Sequence, residues 1–165
     1  MTDINMTAQA KAVSLVELLF FAYRDFVADP DQRLEGLGFG RAHHRVVHFV
    51  GRNPGLTVAG LLDILQITKQ SLARVLKELI DKDYVFQREG AEDRRQRLLY
   101  LTPAGEILRQ ELMAPQIERF ERACAETGLP PEQFHSMLVH LINPQNQEMA
   151  QRTAEGPQTR GRADG

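Results

Sequence analysis

The sequence predicts a mainly α-helical chain that carries one small β-hairpin. Three observations predict it. Apolar residues recur at helical spacing through most of the chain, most clearly at Leu72, Val75, Leu76, Leu79 and Ile80. The period becomes strand-like only at Tyr84-Val85-Phe86 and Leu98-Leu99-Tyr100-Leu101, on either side of a charged loop. Breakers and caps, namely Asn53-Pro54-Gly55, Thr102-Pro103, Gly128 and Pro130-Pro131, cut the chain between those segments.

Residues 12–28 (AVSLVELLFFAYRDFVA) read as the first helix. Its polar positions, Ser14, Glu17, Arg24 and Asp25, form a narrow stripe, so it is apolar around most of its circumference and needs contacts on more than one side. Either it is a central core helix, or, the reading preferred in so short a chain, its second side meets another subunit. Asp29-Pro30-Asp31 ends it. Residues 39–51 form a second helix with Phe39, Ala42, Val46, Val47, Phe49 and Val50 as its apolar set. After the turn at Asn53-Pro54-Gly55, Thr57 caps a short helix to about Leu65, with Leu61, Leu62 and Leu65 inward. Thr68 caps the next helix, Lys69 to about Lys82. The hairpin follows, with residues 89–96 as its exposed loop. Thr102 as cap and Pro103 in the first turn open a helix that runs to about Thr127 before Gly128. A last helical stretch starts at Pro130-Pro131 and is interrupted at Pro144, and the polar residues 153–165 are expected to be disordered.

A chain of 165 residues corresponds to one domain on the usual scale of about 100–200 residues. Hydrophobic residues at 42% and charged residues at 25% exclude wholesale disorder and low-complexity architectures. One cysteine excludes an internal disulfide and favours a reducing compartment. No apolar run approaches a transmembrane span of about 18 residues, and the polar start MTDINMTAQAK is no secretory signal, so the expected address is the cytoplasm. The net charge of −2 hides an asymmetry. Residues 39–105 hold 11 Lys or Arg against 7 Asp or Glu, whereas the rest holds 9 against 15. A basic middle between acidic flanks suits a polyanion-binding centre on a different kind of scaffold.

Two helices joined by a tight turn and followed by a charged hairpin suggest a winged helix-turn-helix. In that arrangement the second helix enters the DNA major groove, with residues near its N-terminus at the base edges. Here these are Thr68, Lys69, Gln70, Ser71 and Arg74, with Lys77 one turn further along the same face. Gln can pair bidentately with adenine, and Arg or Lys with guanine. Four arginines, Arg88, Arg94, Arg95 and Arg97, lie within ten residues of the hairpin. An arginine-rich tip can enter the minor groove or grip the backbone. The alternatives are a solvated helix face and a plain exposed loop, and the order of short helix, turn, basic helix and basic hairpin weighs against both.

These residues carry a family resemblance. The segments NPGLTVAGLLDIL, ITKQSLARVLKELIDKDYV and EDRRQRLLYLTPAG resemble the MarR family of bacterial transcriptional regulators. The most specific piece is Asp93-Arg94-Arg95 followed by Leu101-Thr102-Pro103-Ala104-Gly105. The segment GRAHHRVVHFVGRNPG is similar to the PetP-type subgroup. The resemblance implies a homodimer with interlocking terminal helices and one winged lobe per subunit, bound to a pseudo-palindromic DNA operator. It divides the chain into residues 1–38 (N-terminal helix, dimerisation), 39–105 (DNA-binding lobe, Thr57 included in its contact set), 106–152 (C-terminal helices, dimerisation) and the tail 153–165. It implies that Arg95 reaches the minor groove and that Asp93 orients the wing by pairing with Arg74 or Arg97. It also implies a small-molecule effector that shifts the spacing of the two lobes, a ligand the sequence does not name.

Other chemistries find less support. His44 and His48 are four apart, a spacing able to hold a metal, and together with His43 they motivate an alternative metal- or haem-responsive regulator. No Cys or acidic residue accompanies them nearby in sequence, so the favoured reading has no metal and no cofactor, and the three histidines line a lobe interface or contact phosphate. Cys124 lies outside the N-terminal region where redox-sensing members of the family carry their reactive cysteine, and reads as a buried, inert thiol. His135 and His140 read as structural. The chain contains no P-loop, Gly-rich dinucleotide motif, G-x-S-x-G or H-E-x-x-H, so no enzyme is expected. A winged-helix interaction module that does not bind DNA is the remaining alternative, disfavoured by the basic helix and wing.

Overall fold

A computed structural model describes residues 7–156. The element order is α1 (Ala8–Ala28), α2 (Asp31–Glu35), α3 (Arg41–Arg52), β1 (Leu56–Thr57), α4 (Val58–Leu65), α5 (Lys69–Asp81), β2 (Val85–Glu89), β3 (Arg97–Leu101), α6 (Pro103–Thr127), α7 (Pro131–Leu141) and α8 (Pro144–Glu155). The fold is mainly helical with a small antiparallel sheet, as the sequence predicts.

Each threonine cap expected from the sequence is present. The Thr57, Thr68 and Thr102 hydroxyls accept the backbone N–H groups of Gly60, Ser71 and Gly105 at 3.0, 3.1 and 3.0 Å. Each thereby satisfies a donor that a helix start leaves without an intrahelical acceptor. Gly128 ends α6 in the left-handed region, at φ 67°.

The core belongs to the middle of the chain. Val46, Val47 and Val50 of α3 pack with Leu61 of α4, with Leu72, Val75, Leu76 and Leu79 of α5, with Val85 and Leu99 of the hairpin, and with Leu108 and Leu112 of α6. The spacing of the α5 residues puts one face into this core and leaves the opposite face to solvent. The sheet has the order β1-β3-β2, with Leu56 opposite Leu99 and Val85 opposite Leu101. The third strand, β1, is an addition to the expected hairpin. It is two residues long and is held by pairing with β3, a partner some forty positions away that no local pattern announces.

The terminal helices form arms beyond that core. α1 has no buried residue. Leu15, Leu18, Phe20 and Phe21 stand 69%, 59%, 70% and 56% exposed. The arm is tied to α6 by Asp29, whose carboxylate takes two hydrogen bonds from Arg119 at 2.7 and 2.6 Å, and by Phe26, whose ring lies 5.5 Å from that of Phe120. Several boundaries differ from expectation: α1 begins at Ala8 rather than at residue 12, α3 spans Arg41–Arg52 rather than 39–51, and β2 takes in Glu89, a residue expected in the loop. The segment after α1 winds into the short helix α2, and α8 continues through Thr153, Ala154 and Glu155, three residues assigned to the tail. There the Thr153 hydroxyl donates to the Met149 carbonyl, and the Arg52 guanidinium donates to the Ala154 carbonyl at 2.9 Å, contacts that extend the helix. The remainder of the expected tail, from 157, and residues 1–6 of the N-terminal stretch lie outside the described residues. Among the described residues, no helix is long and apolar enough to cross a membrane.

Candidate nucleic-acid interface

The solvent face of α5 presents Lys69, Gln70, Ser71, Arg74 and Lys77, all exposed. Thr68 sits at the helix start, where its hydroxyl accepts the Ser71 N–H and donates to the Ser71 Oγ at 2.9 Å. Lys69 and Lys77 line an open groove of about 640 Å³ with Val58 and Ala59 at the start of α4 and Gln87 of β2. The groove places the α5 face, the α4 N-terminus and the hairpin on one side of the lobe. Thr57 stands at that α4 start, half-buried, with its hydroxyl engaged in the cap.

The cations of this face differ in how much of their charge is already engaged. Lys77 bonds Asp81 one turn on at 2.5 Å, and that hydrogen bond raises its pKa. Arg74 meets Glu78 at 3.4 Å. Arg97 faces Glu89 across the hairpin, also at 3.4 Å. Arg88 lies over the stacked rings of Phe86 and Tyr100, 5.2 and 5.4 Å from their centroids, so it is fixed on the sheet rather than at the tip. Among the described residues, Arg94 and Arg95 have no acidic partner within 4.0 Å. Both are exposed at the turn of the hairpin. Together the face and the tip offer guanidinium, ammonium, amide and hydroxyl donors to a ligand that is anionic and rich in acceptors.

Asp93 pairs with neither of the side chains expected for it, Arg74 or Arg97. Its carboxylate accepts the backbone N–H of Arg95 at 2.9 Å. The acidic neighbours of Arg74 and Arg97 are Glu78 and Glu89, each at a single long contact of 3.4 Å. A backbone donor two residues away in a tight turn is the nearer partner, which is why the local Asx-type bond prevails over a longer reach.

The three histidines of α3 separate into two environments. His43 is buried in the lobe, stacked on Phe39 at 4.5 Å, with its Nε2 2.5 Å from Glu78. It is therefore not on the surface. His44 is half-buried and burial lowers its pKa, while His48, half-buried beside Phe49, is pushed down to about 4, chiefly by burial and then by the charges of His44, Arg109 and Arg52. Burial thus favours the uncharged form of His48. Among the described residues, no three His, Cys, Asp or Glu side chains converge on a metal site. Cys124 is half-buried rather than buried, and lines an apolar groove with Phe26, Phe120 and Phe134. His140 turns its Nδ1 toward the Ser136 carbonyl at 2.8 Å within α7.

Sequence reasoning missed the contact of His43 with Glu78 and the stacking of Arg88 on Phe86 and Tyr100. The first joins residues 35 positions apart and has no sequence signal. The second had one, the alternation that puts Phe86 and Arg88 on the same face of β2.

Comparison with known proteins agrees with this architecture. Residues 37–96 match the MarR family. The HTH-type transcriptional regulator PetP of Rhodobacter capsulatus is 50% identical over 132 residues, covering 78% of each chain. Among solved structures, a mutant of MepR from a multidrug resistant S. aureus clinical isolate superposes with a TM-score of 0.63 at 19% identity, covering 84% of this chain and 94% of that one. The S. aureus MepR–DNA complex superposes with a TM-score of 0.53 at 20% identity, covering 76% of this chain and 93% of that one. The fold, the place of the hairpin and the half-identical relative lead to one assignment: the chain belongs to the MarR family of transcriptional regulators.

Proposed function

We propose that this protein acts as a homodimer that binds double-stranded DNA in a sequence-specific way. Residues 39–105 form the DNA-binding lobe, and residues 1–38 and 106–152 supply the dimer contacts. The observation that carries the reading is the row of exposed donors on α5, Thr68, Lys69, Gln70, Ser71, Arg74 and Lys77, beside a hairpin tip whose Arg94 and Arg95 are exposed. In this reading α5 enters the major groove, where Gln70 and Arg74 meet base edges. Arg95 reaches the minor groove, with Arg94 and Arg97 on the backbone and Arg88 behind them. Thr57 at the start of α4 approaches a phosphate. A relative of the same fold, S. aureus MepR, has been solved on DNA, which supports the same use of this lobe.

The dimer follows from the arms. Burying exposed apolar side chains is worth roughly 25 cal/mol per Å². α1 alone exposes Val13, Leu15, Val16, Leu18, Leu19, Phe20, Phe21 and Tyr23. α7 adds Met137 and Leu141, each 60% exposed. Large apolar side chains gathered in exposed positions mark an association surface, and a second copy covers them while placing two α5 helices side by side. A small-molecule effector would act by binding one spacing of the two lobes more tightly than another.

The test is selection of duplexes from a randomised pool by the purified protein. Enrichment of an inverted repeat, with half-sites about one helical turn apart, is the expected result. Recovery of no common sequence contradicts the proposal.

A further inference from the structure

We propose that His43, whose side chain is buried in the lobe, is a positioning residue for sequence recognition: it holds the Glu78 carboxylate on the inner side of α5 and so keeps the Arg74 guanidinium free to read a base. The inference rests on the DNA-binding reading above and deepens it.

The geometry determines the hydrogen-bonding state of the ring. The backbone N–H of Gly40 points at His43 Nδ1, 3.1 Å away. A backbone N–H can only donate, so Nδ1 must be the acceptor and carries no proton. In the neutral ring the proton then sits on Nε2, which faces the Glu78 carboxylate at 2.5 Å. The ring cannot turn to satisfy other partners. Its side chain is 6% exposed and it is stacked on Phe39, over which the Lys82 ammonium lies at 4.7 Å. One fixed donor therefore sits beneath one oxygen of Glu78.

The other oxygen of Glu78 faces Arg74 at 3.4 Å. A carboxylate with both oxygens free can engage a guanidinium through both of them. Here one oxygen belongs to His43, and the remaining contact is long. The Arg74 side chain keeps 68% of its surface exposed and leaves most of its five N–H donors unclaimed. The hydrogen bond from His43 is also the largest cause of the lowered pKa of Glu78, so the carboxylate stays charged and anchored. Removing the anchor lets Glu78 swing outward and compete with a base for the same guanidinium.

Two substitutions separate this role from a structural one. His43→Asn keeps an acceptor for the Gly40 N–H and loses the reach to Glu78. His43→Gln reaches Glu78 with its amide N–H. The readout is the ratio of affinities for the duplex selected from the randomised pool and for a scrambled duplex, measured by fluorescence anisotropy. The expected result is a ratio lowered by about tenfold in His43→Asn, a ratio within about twofold of wild type in His43→Gln, and scrambled-duplex affinity unchanged in both. Nitrogen NMR of the unmodified protein, free of DNA, should find His43 protonated on Nε2 and bare on Nδ1. A proton on Nδ1 overturns the inference whatever the variants do. So does a wild-type ratio in His43→Asn, or an equal loss in both variants. If no duplex is selected at all, the DNA-binding reading fails and this role falls with it. A selected duplex that His43→Asn still discriminates normally sinks the positioning role alone.

Discussion

The Asp93 carboxylate accepts the backbone N–H of Arg95 at 2.9 Å, closing the tip of the hairpin on itself. The bond fixes the backbone from which the Arg95 side chain departs and leaves the guanidinium charge unengaged. The two residues are therefore expected to act together. Arg95→Ala should weaken binding to the selected duplex by more than about tenfold, the scale of one lost charged base or backbone contact. Asp93→Ala should weaken it less, by loosening the tip. Gel-filtration profiles and melting temperatures should match the wild type in both. An Arg95→Ala protein with undiminished affinity would refute the assignment of the tip to the groove.

Gln70 is exposed on the first turn of α5 and can make bidentate contact with adenine. Gln70→Ala should narrow the gap between selected and scrambled duplexes, and leave binding to the scrambled duplex nearly intact. Anisotropy titrations against both duplexes measure this. Equal losses on the two would show that Gln70 does not read a base.

Gly105 belongs to the Leu-Thr-Pro-Ala-Gly segment, and the structure gives that glycine a packing reason. A Cβ at this position would collide with the Tyr84 carbonyl oxygen, in the turn that leads into β2. The same carbonyl accepts the N–H of Thr102 at 3.1 Å, so it is not free to move. Gly105→Ala should cost about 1–3 kcal/mol of stability, read as a lowered urea midpoint. A midpoint equal to the wild type would mean that the α6 start yields more easily than this contact suggests.

Much of the fold was legible because its signals are local. Threonine caps, Pro103 at a first turn and the face of α5 each depend on residues within one or two turns, and all appear in the structure. β1 and α2 escaped notice because two and five residues are too short for any period to show. The exposed face of α5 was legible for the same local reason as its buried face. The engagement of its cations was not. Whether Arg74 or Arg97 is paired depends on Glu78, on Glu89 and, through Glu78, on a histidine of another helix.

The pairing of Asp29 with Arg119 ties the α1 arm to α6 and predicts a pH effect. The arginine hydrogen bond lowers the Asp29 pKa in the folded chain. A lowered carboxylate contributes its full stability above the unfolded value of about 3.9 and loses it as pH falls through the folded pKa. Asp29→Asn should therefore unfold more readily than wild type at neutral pH, with the gap shrinking below about pH 4. Urea midpoints of both proteins across that range check it. A gap of constant size would contradict the assignment.

The most direct measurement is the number of chains on one selected duplex, determined by sedimentation velocity with labelled DNA. Wild type should sediment with two chains per duplex at every loading that shows binding. Phe20→Asp, which puts a charge on a side chain now 70% exposed on α1, should sediment as a single chain with most of its affinity lost. Wild type bound as one chain per duplex, or Phe20→Asp bound as tightly as wild type, would contradict the paired presentation of α5 and the arginine tip.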